Sequence, residues 1–177
     1  AVVTVGSIHG GTKHNIIPDE VQLQLTVRSY SDHAKEKTLQ SIERICKGIA
    51  IAGGVPEDRM PIVKVQDEFT PSTYNDPALM KRMSASMQAM LGADKVVAKE
   101  PVMGGEDFGE YGRTPEKIPV AILWLGAIAP ERVQESSHAG QPLPSLHSSQ
   151  FAPLPEPTIK TGVTAMTAAV LDLLSRK

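Results

Sequence analysis

Three phrases in the chain hold residue types that can bind or react. They are Gly10-Gly11-Thr12-Lys13-His14-Asn15-Ile16-Ile17-Pro18-Asp19, Met103-Gly104-Gly105-Glu106-Asp107-Phe108 and Leu146-His147-Ser148. In the first, paired glycines open backbone conformations closed to other residues, and Pro18 stiffens the chain ahead of the next element. Asn15 in such a loop ordinarily satisfies nearby backbone groups as an Asx turn. Thr26-Val27-Arg28 follows on a strand pattern. Arg28 falls on its polar face, where an isolated strand arginine is ordinarily a solvated cation. In the second phrase two glycines precede a short helix with two acids in its first turn. The acids complement the helix dipole, or the bare N–H groups before them receive an anion. His147 lies in a loop, where an imidazole is ordinarily solvated but can also ligate a metal. His9, His14, His33 and His138 are not spaced from an acid or from one another like a closed zinc site.

These residues need elements to position them. Val21, Leu23, Leu25 and Val27 alternate with polar neighbours, the period of a strand with one buried and one wet face. The run 1–8 reads as a second strand, and the glycine-rich phrase joins the two. A helix is expected over Asp32–Ala52, with Leu39, Ile42, Ile45, Cys46 and Ile49 on one face, Asp32 as N-cap and Gly53-Gly54 as its stop. Pro61–Gln66 reads as a short third strand. After a boundary at Glu68–Tyr74, Asp76 and Pro77 start a helix that Gly92 stops. Pro119–Gly126 is apolar on both faces, as a central parallel strand is. Residues 127–157, with six prolines, read as loop. A last helix carries Ile159, Val163, Met166, Val170 and Leu173 on its apolar stripe.

Composition narrows the classes. At 177 residues with a net charge of −2, the chain can bury a core and carries no lysine or arginine run. That composition offers no footprint for nucleic acid and, with no long apolar stretch, none for a membrane. A lone Cys46 rules out an internal disulfide framework and fits a reducing, cytoplasmic setting. The chain opens on the strand-like Ala1-Val2-Val3-Thr4-Val5, and is expected to be cut from something longer.

In this order and at these separations, the three phrases resemble the C-terminal half of a metal-dependent amidohydrolase family. It is that of the zinc-dependent aminoacylases, hippurate hydrolases and carboxypeptidases. The resemblance runs through Pro153-x-Pro155-Glu156-Pro157 and the last helix, so it covers nearly the whole chain. It implies a fold of mixed α/β and α+β type. Residues 1–68 would be a small antiparallel, ferredoxin-like lid or dimerisation domain lacking its first strand and helix. Residues 75–177 would be the C-terminal part of an α/β metallopeptidase-like catalytic domain.

The resemblance also implies roles. Arg28 would hold the free carboxylate of an N-acyl amino acid substrate, and Asn15 would hydrogen-bond its polar groups. Such contacts often come from a neighbouring subunit, so a homodimer through the lid is expected. Met103–Phe108 resembles the signature of the hippurate-hydrolase and auxin-conjugate-hydrolase branch, which places Gly104, Gly105 and Glu106 at the border of the active site. His147, with its flanking Leu and Ser, matches the family's last metal ligand. The family holds two divalent ions per site, zinc, or else manganese, cobalt or nickel. Its other ligands and its catalytic Glu lie in phrases this sequence does not contain, so no catalytic residue is assigned here and Glu106 is not the base. The chain alone is therefore expected to be inactive, to bind no metal by itself and to expose sheet edges that drive self-association. The alternative is a non-catalytic dimerisation or binding fragment.

Overall fold

A computed structural model describes residues 1–175. The protein is a mixed α/β chain whose sheet has two antiparallel strands. It divides into two compact units: Ala1–Tyr74 with Pro101–Ile118, and Asn75–Glu100 with the chain from Pro119 onward.

The first unit is a hairpin, a long helix and a strap. Strand β1 (Val2–Gly10) pairs with β2 (Val21–Arg28), from Val2 opposite Arg28 to Gly10 opposite Val21, with a bulge between Val5 and Ser7. Helix α1 (Asp32–Ala52) follows and ends at Gly53-Gly54 as expected, Gly54 taking the left-handed φ of +70°. Its N-cap is Ser31 rather than Asp32. Ser31 has the extended backbone a cap requires, and its hydroxyl accepts from the Ala34 N–H at 3.2 Å. Asp32 sits in the first turn instead, where its charge complements the helix dipole. Pro61–Gln66 forms no strand among the described residues. An apolar run supplies one edge of a ladder, and no neighbouring strand supplies the other.

The second unit centres on two helices. Helix α2 (Pro77–Leu91) starts where Asp76 Oδ1 accepts from the Leu79 N–H at 2.7 Å, and stops at Gly92, whose φ of +102° favours glycine. Met83 and Met87 pack against Ala169, with Leu79, Val96, Ala121 and Ala165 around them. Ala165 and Ala169 belong to α4 (Pro155–Leu174), the last of the helices. Arg82 Nε pairs with Asp172 Oδ2 at 2.5 Å, and Ser86 Oγ donates to the Ala168 carbonyl at 2.8 Å. Helix α3 (Pro130–Ala139), closed by Gly140 at φ +64°, lies in the stretch expected to be loop. Pro130 at its first turn and Gly140 after its end were the signals, but it has no apolar stripe to mark it.

Two further expectations are corrected. Pro119–Gly126 is assigned no strand, because no parallel neighbour lies beside it among the described residues. A side chain fills that place: Asn75 Nδ2 donates to the Ile122 carbonyl and Asn75 Oδ1 accepts from its N–H, both at 2.8 Å. On α4 the apolar stripe is not the packed one. Ile159, Val163 and Met166 are 63%, 61% and 59% exposed, while Ala168 and Ala169 are buried. The methionines of α2 fill space that only small residues leave open.

The accessible surface is 14510 Å² for 19.0 kDa. A compact monomer of that mass exposes roughly 8,400 Å², and even two separate globular halves roughly 10,000 Å². The excess therefore lies within the units, on bare strand and helix faces such as Val3, Ile8, Leu23 and Val163.

Candidate functional site

The loop between the strands, residues 11–20, holds Asn15 in a turn whose Ile16 N–H reaches the Lys13 carbonyl at 3.4 Å. Gly11 has a φ of +72° and packs near Pro18, so this glycine and proline are fixed by backbone geometry. Asn15 itself is exposed. The register puts the loop at one end of the hairpin and Arg28 at the other. The intervening strand rises about 3.3 Å per residue, so its ends stand roughly 23 Å apart. One chain therefore does not gather Asn15 and Arg28 around one small ligand.

Arg28 is not a free solvated cation. Its Nη1 donates to the Met103 carbonyl at 2.6 Å, a charge-assisted bond across 75 residues of sequence. That contact brings β2 and the glycine phrase together. Tyr30 Oη donates to the Pro101 carbonyl at 3.1 Å, and Thr73 Oγ1 to the Glu106 carbonyl at 3.2 Å. Glu106 is N-cap of the short helix Asp107–Arg113, and its Oε1 accepts from the Phe108 N–H at 3.1 Å. Its carboxylate thus serves the helix start. Gly104 and Gly105 are exposed and have no positive φ. A Cβ at Gly105 would meet nothing within 4 Å, and one at Gly104 only Val102 at 3.9 Å. Packing does not require glycine at either position; what they present is open backbone.

Arg113 meets Asp32 through Nη2 to Oδ2 at 2.5 Å and Nη1 to Oδ1 at 3.3 Å. That hydrogen bonding holds the Asp32 carboxyl below its ordinary value and raises the Arg113 guanidinium. Tyr30, Thr73 and Arg113, and the pairing of Asp32 with Arg113, escaped the sequence reading. Their partners are main-chain carbonyls or residues some thirty or more positions away, which no local spacing reveals.

His147 lies in the second unit, exposed, in a turn where the Ser148 N–H reaches the Ser145 carbonyl at 2.9 Å. Among the described residues no three His, Cys, Asp or Glu side chains converge as a metal site. His147 offers one imidazole, and the residues present do not themselves fit a dinuclear centre. A shallow recess lined by His33, Glu36, Lys37 and Gln40 on α1 includes none of the candidate residues.

The hairpin and α1 carry a family match. Residues 2–53 match the model of a peptidase dimerisation domain, that of the M20 peptidases. The chain is related to the M20 peptidases. It is 31% identical over 165 residues to thermostable carboxypeptidase 1 of Saccharolobus solfataricus, covering 93% of this chain and 37% of that one. It is 34% identical over 170 residues to the N-acetyldiaminopimelate deacetylase of Leuconostoc citreum, covering 96% and 38%. Its fold is similar to the crystal structure of the Bacillus subtilis YXEP protein, described as a dinuclear metal-binding peptidase from the M20 family. That match has a TM-score of 0.72 and 27% identity, over 98% of this chain and 42% of the other. The chain thus spans well under half the length of the M20 relatives it matches. No helix among its described residues is long and apolar enough to cross a membrane.

Proposed function

We propose that this chain supplies the dimerisation domain and part of the active site of a larger cytoplasmic M20 amidohydrolase. Its substrate would be an N-acyl or N-aroyl amino acid, or a small peptide, and the bond cleaved its amide. The observation that carries this reading is the similarity, along 93% and 96% of the chain, to a carboxypeptidase and to a deacetylase of an N-acetylated amino acid. Both kinds of enzyme act on an amide bond beside an amino-acid unit. The hippurate-like, aroyl preference rests on the Met103–Phe108 phrase alone.

In this reading Arg28 holds the substrate carboxylate through the guanidinium edge that Met103 leaves free, and Asn15 hydrogen-bonds its polar groups. The open backbone at Gly104 and Gly105, with Glu106, borders the bound substrate. Binding both ends of one amino acid this way restricts the site to free carboxylates. The metal pair belongs to the complete protein, with His147 giving one of its ligands; zinc is the first expectation. Asn15 and Arg28 stand at opposite ends of one hairpin, which supports a site shared across a homodimer.

The test is hydrolysis of N-acetyl amino acids, hippurate and dipeptides by the complete protein and by the 177-residue chain. Turnover by the complete protein, abolished by blocking the substrate carboxylate as an amide, supports the reading. Equal turnover of the amide-blocked substrates would sink it. A second reading, a non-catalytic dimerisation module, is favoured by the family match of residues 2–53. A dimeric chain that hydrolyses nothing in either form would establish that one instead.

A further inference from the structure

The strap 101–113 meets the rest of the first unit through contacts that substrate binding does not require. Its carbonyls at Pro101, Met103 and Glu106 each accept from a side chain of Tyr30, Arg28 or Thr73. At Gly109 the approach is tighter still. A Cβ there would lie 2.8 Å from Thr73 Oγ1 and 3.0 Å from Thr73 Cα, so no larger residue fits without a shift. Arg113 closes the far end onto Asp32. Two of these contacts flank the open glycines: Arg28 to Met103, one residue before Gly104, and Thr73 to Glu106, one residue after Gly105; only the first is charge-assisted.

We propose that Arg28 is a positioning residue for the Gly104-Gly105-Glu106 backbone. One guanidinium nitrogen holds the Met103 carbonyl and the remaining donors stay available. A guanidinium has five N–H donors in a rigid fork, so a bond to one carbonyl leaves an edge for a carboxylate. A lysine has no such fork: its three N–H donors share one nitrogen, so while it keeps the carbonyl it can give the ligand only a single contact, not a bidentate grip. The carboxylate half of this picture rests on the proposed function; the tether does not, since it joins two groups of this chain.

The experiment is therefore done on the ligand-free chain. Backbone ¹⁵N relaxation is measured at Gly104 and Gly105 in the wild type, Arg28→Met and Arg28→Lys. Met keeps the apolar stem and removes every donor. Order parameters near about 0.85 in the wild type are expected to fall below about 0.6 in Arg28→Met and to return in Arg28→Lys. A mere loss of packing would not be rescued by lysine's single charge. Unchanged order in Arg28→Met, or no recovery in Arg28→Lys, overturns the proposal. Should Arg28→Met fail to fold, the Arg28 guanidinium signals of the wild type decide it. Resolved, slowly rotating Nη–H resonances support the tether, and fully averaged ones overturn it. Because no substrate is added, failure of the substrate reading leaves this result untouched.

Discussion

Arg113 and Asp32, 81 residues apart in sequence, face each other as a two-pronged ion pair, at 2.5 and 3.3 Å. Hydrogen bonding from Arg113 lowers the Asp32 carboxyl, while desolvation opposes it. A carboxyl whose folded value is depressed stabilises the fold fully above its unfolded value, and loses that contribution as pH falls through the folded one. Taking about 3.9 for the unfolded Asp, the difference between wild type and Asp32→Asn should be constant above about pH 5 and shrink below about pH 4. Both side chains are over a third exposed, at 38% and 47%. Solvent screening therefore keeps the coupling under about 1 kcal/mol. Thermal melts of wild type, both single variants and the double variant across this range would measure it; a difference that grows toward low pH would contradict the assignment.

The two faces of α2 should respond very differently to the same truncation. Met87 is 4% exposed and Met90 65%. Met87→Ala leaves a cavity against Ala169 and should cost about 2–4 kcal/mol. Met90→Ala should stay within about 0.5 kcal/mol. Urea unfolding of both would check this, and similar losses at the two sites would mean that the α2–α4 contact is misplaced.

Asn75 stands in for a neighbouring strand by pairing with both main-chain groups of Ile122. Asn75→Asp keeps the shape and the acceptor but turns a carboxylate oxygen toward the Ile122 carbonyl. Losing the donor and creating that clash of acceptors should destabilise the second unit by about 1–3 kcal/mol. Leucine at this position should do no better, since it leaves both groups of Ile122 unpaired. A neutral Asn75→Asp in chemical denaturation would argue against the pairing.

The exposed stripe on α4 predicts association. Val163 and Met166 stand 61% and 59% exposed on one face. Exposed apolar surface of this kind drives self-contact in water. Sedimentation velocity should show species above 19.0 kDa that grow with concentration. Val163→Lys with Met166→Lys should reduce them, and a clean monomer at every concentration would refute the expectation.

In the complete protein, Arg28→Lys should raise KM for an N-acyl amino acid about 10–100-fold, because a bidentate grip on the carboxylate becomes a single one. The same variant should treat a substrate without a free carboxylate much as the wild type does. Steady-state kinetics on both substrates separates the cases, and an equal penalty on each would remove Arg28 from carboxylate recognition.

What was legible in the sequence was local. Alternation marked β2, Asp76-Pro77 and Gly92 bounded α2, and Gly53-Gly54 ended α1, because each signal acts over a few residues. Pairing partners were not legible. Pro61–Gln66 and Pro119–Gly126 have strand-like composition, yet a strand exists only when a neighbour completes its ladder. On α4, two stripes competed. The larger side chains define the apolar period, while Ala165, Ala168 and Ala169 make the contact, because closeness to α2 selects small residues. Of the candidate residues, Arg28 and the Met103 phrase were read as separate features. Their contact spans 75 positions and uses a main-chain carbonyl, which carries no mark in the amino-acid code.

The hairpin has a genetic consequence. Its register sets Asn15 and Arg28 at opposite ends. If one substrate is held by both, each active site draws them from different copies. Two alleles, one defective at Asn15 and the other at Arg28, would then each be silent alone. Co-expressed, a hybrid dimer would join the sound Asn15 of one product to the sound Arg28 of the other, leaving one working site and one doubly broken. Activity restored by mixing two dead proteins would be the signature of that exchange.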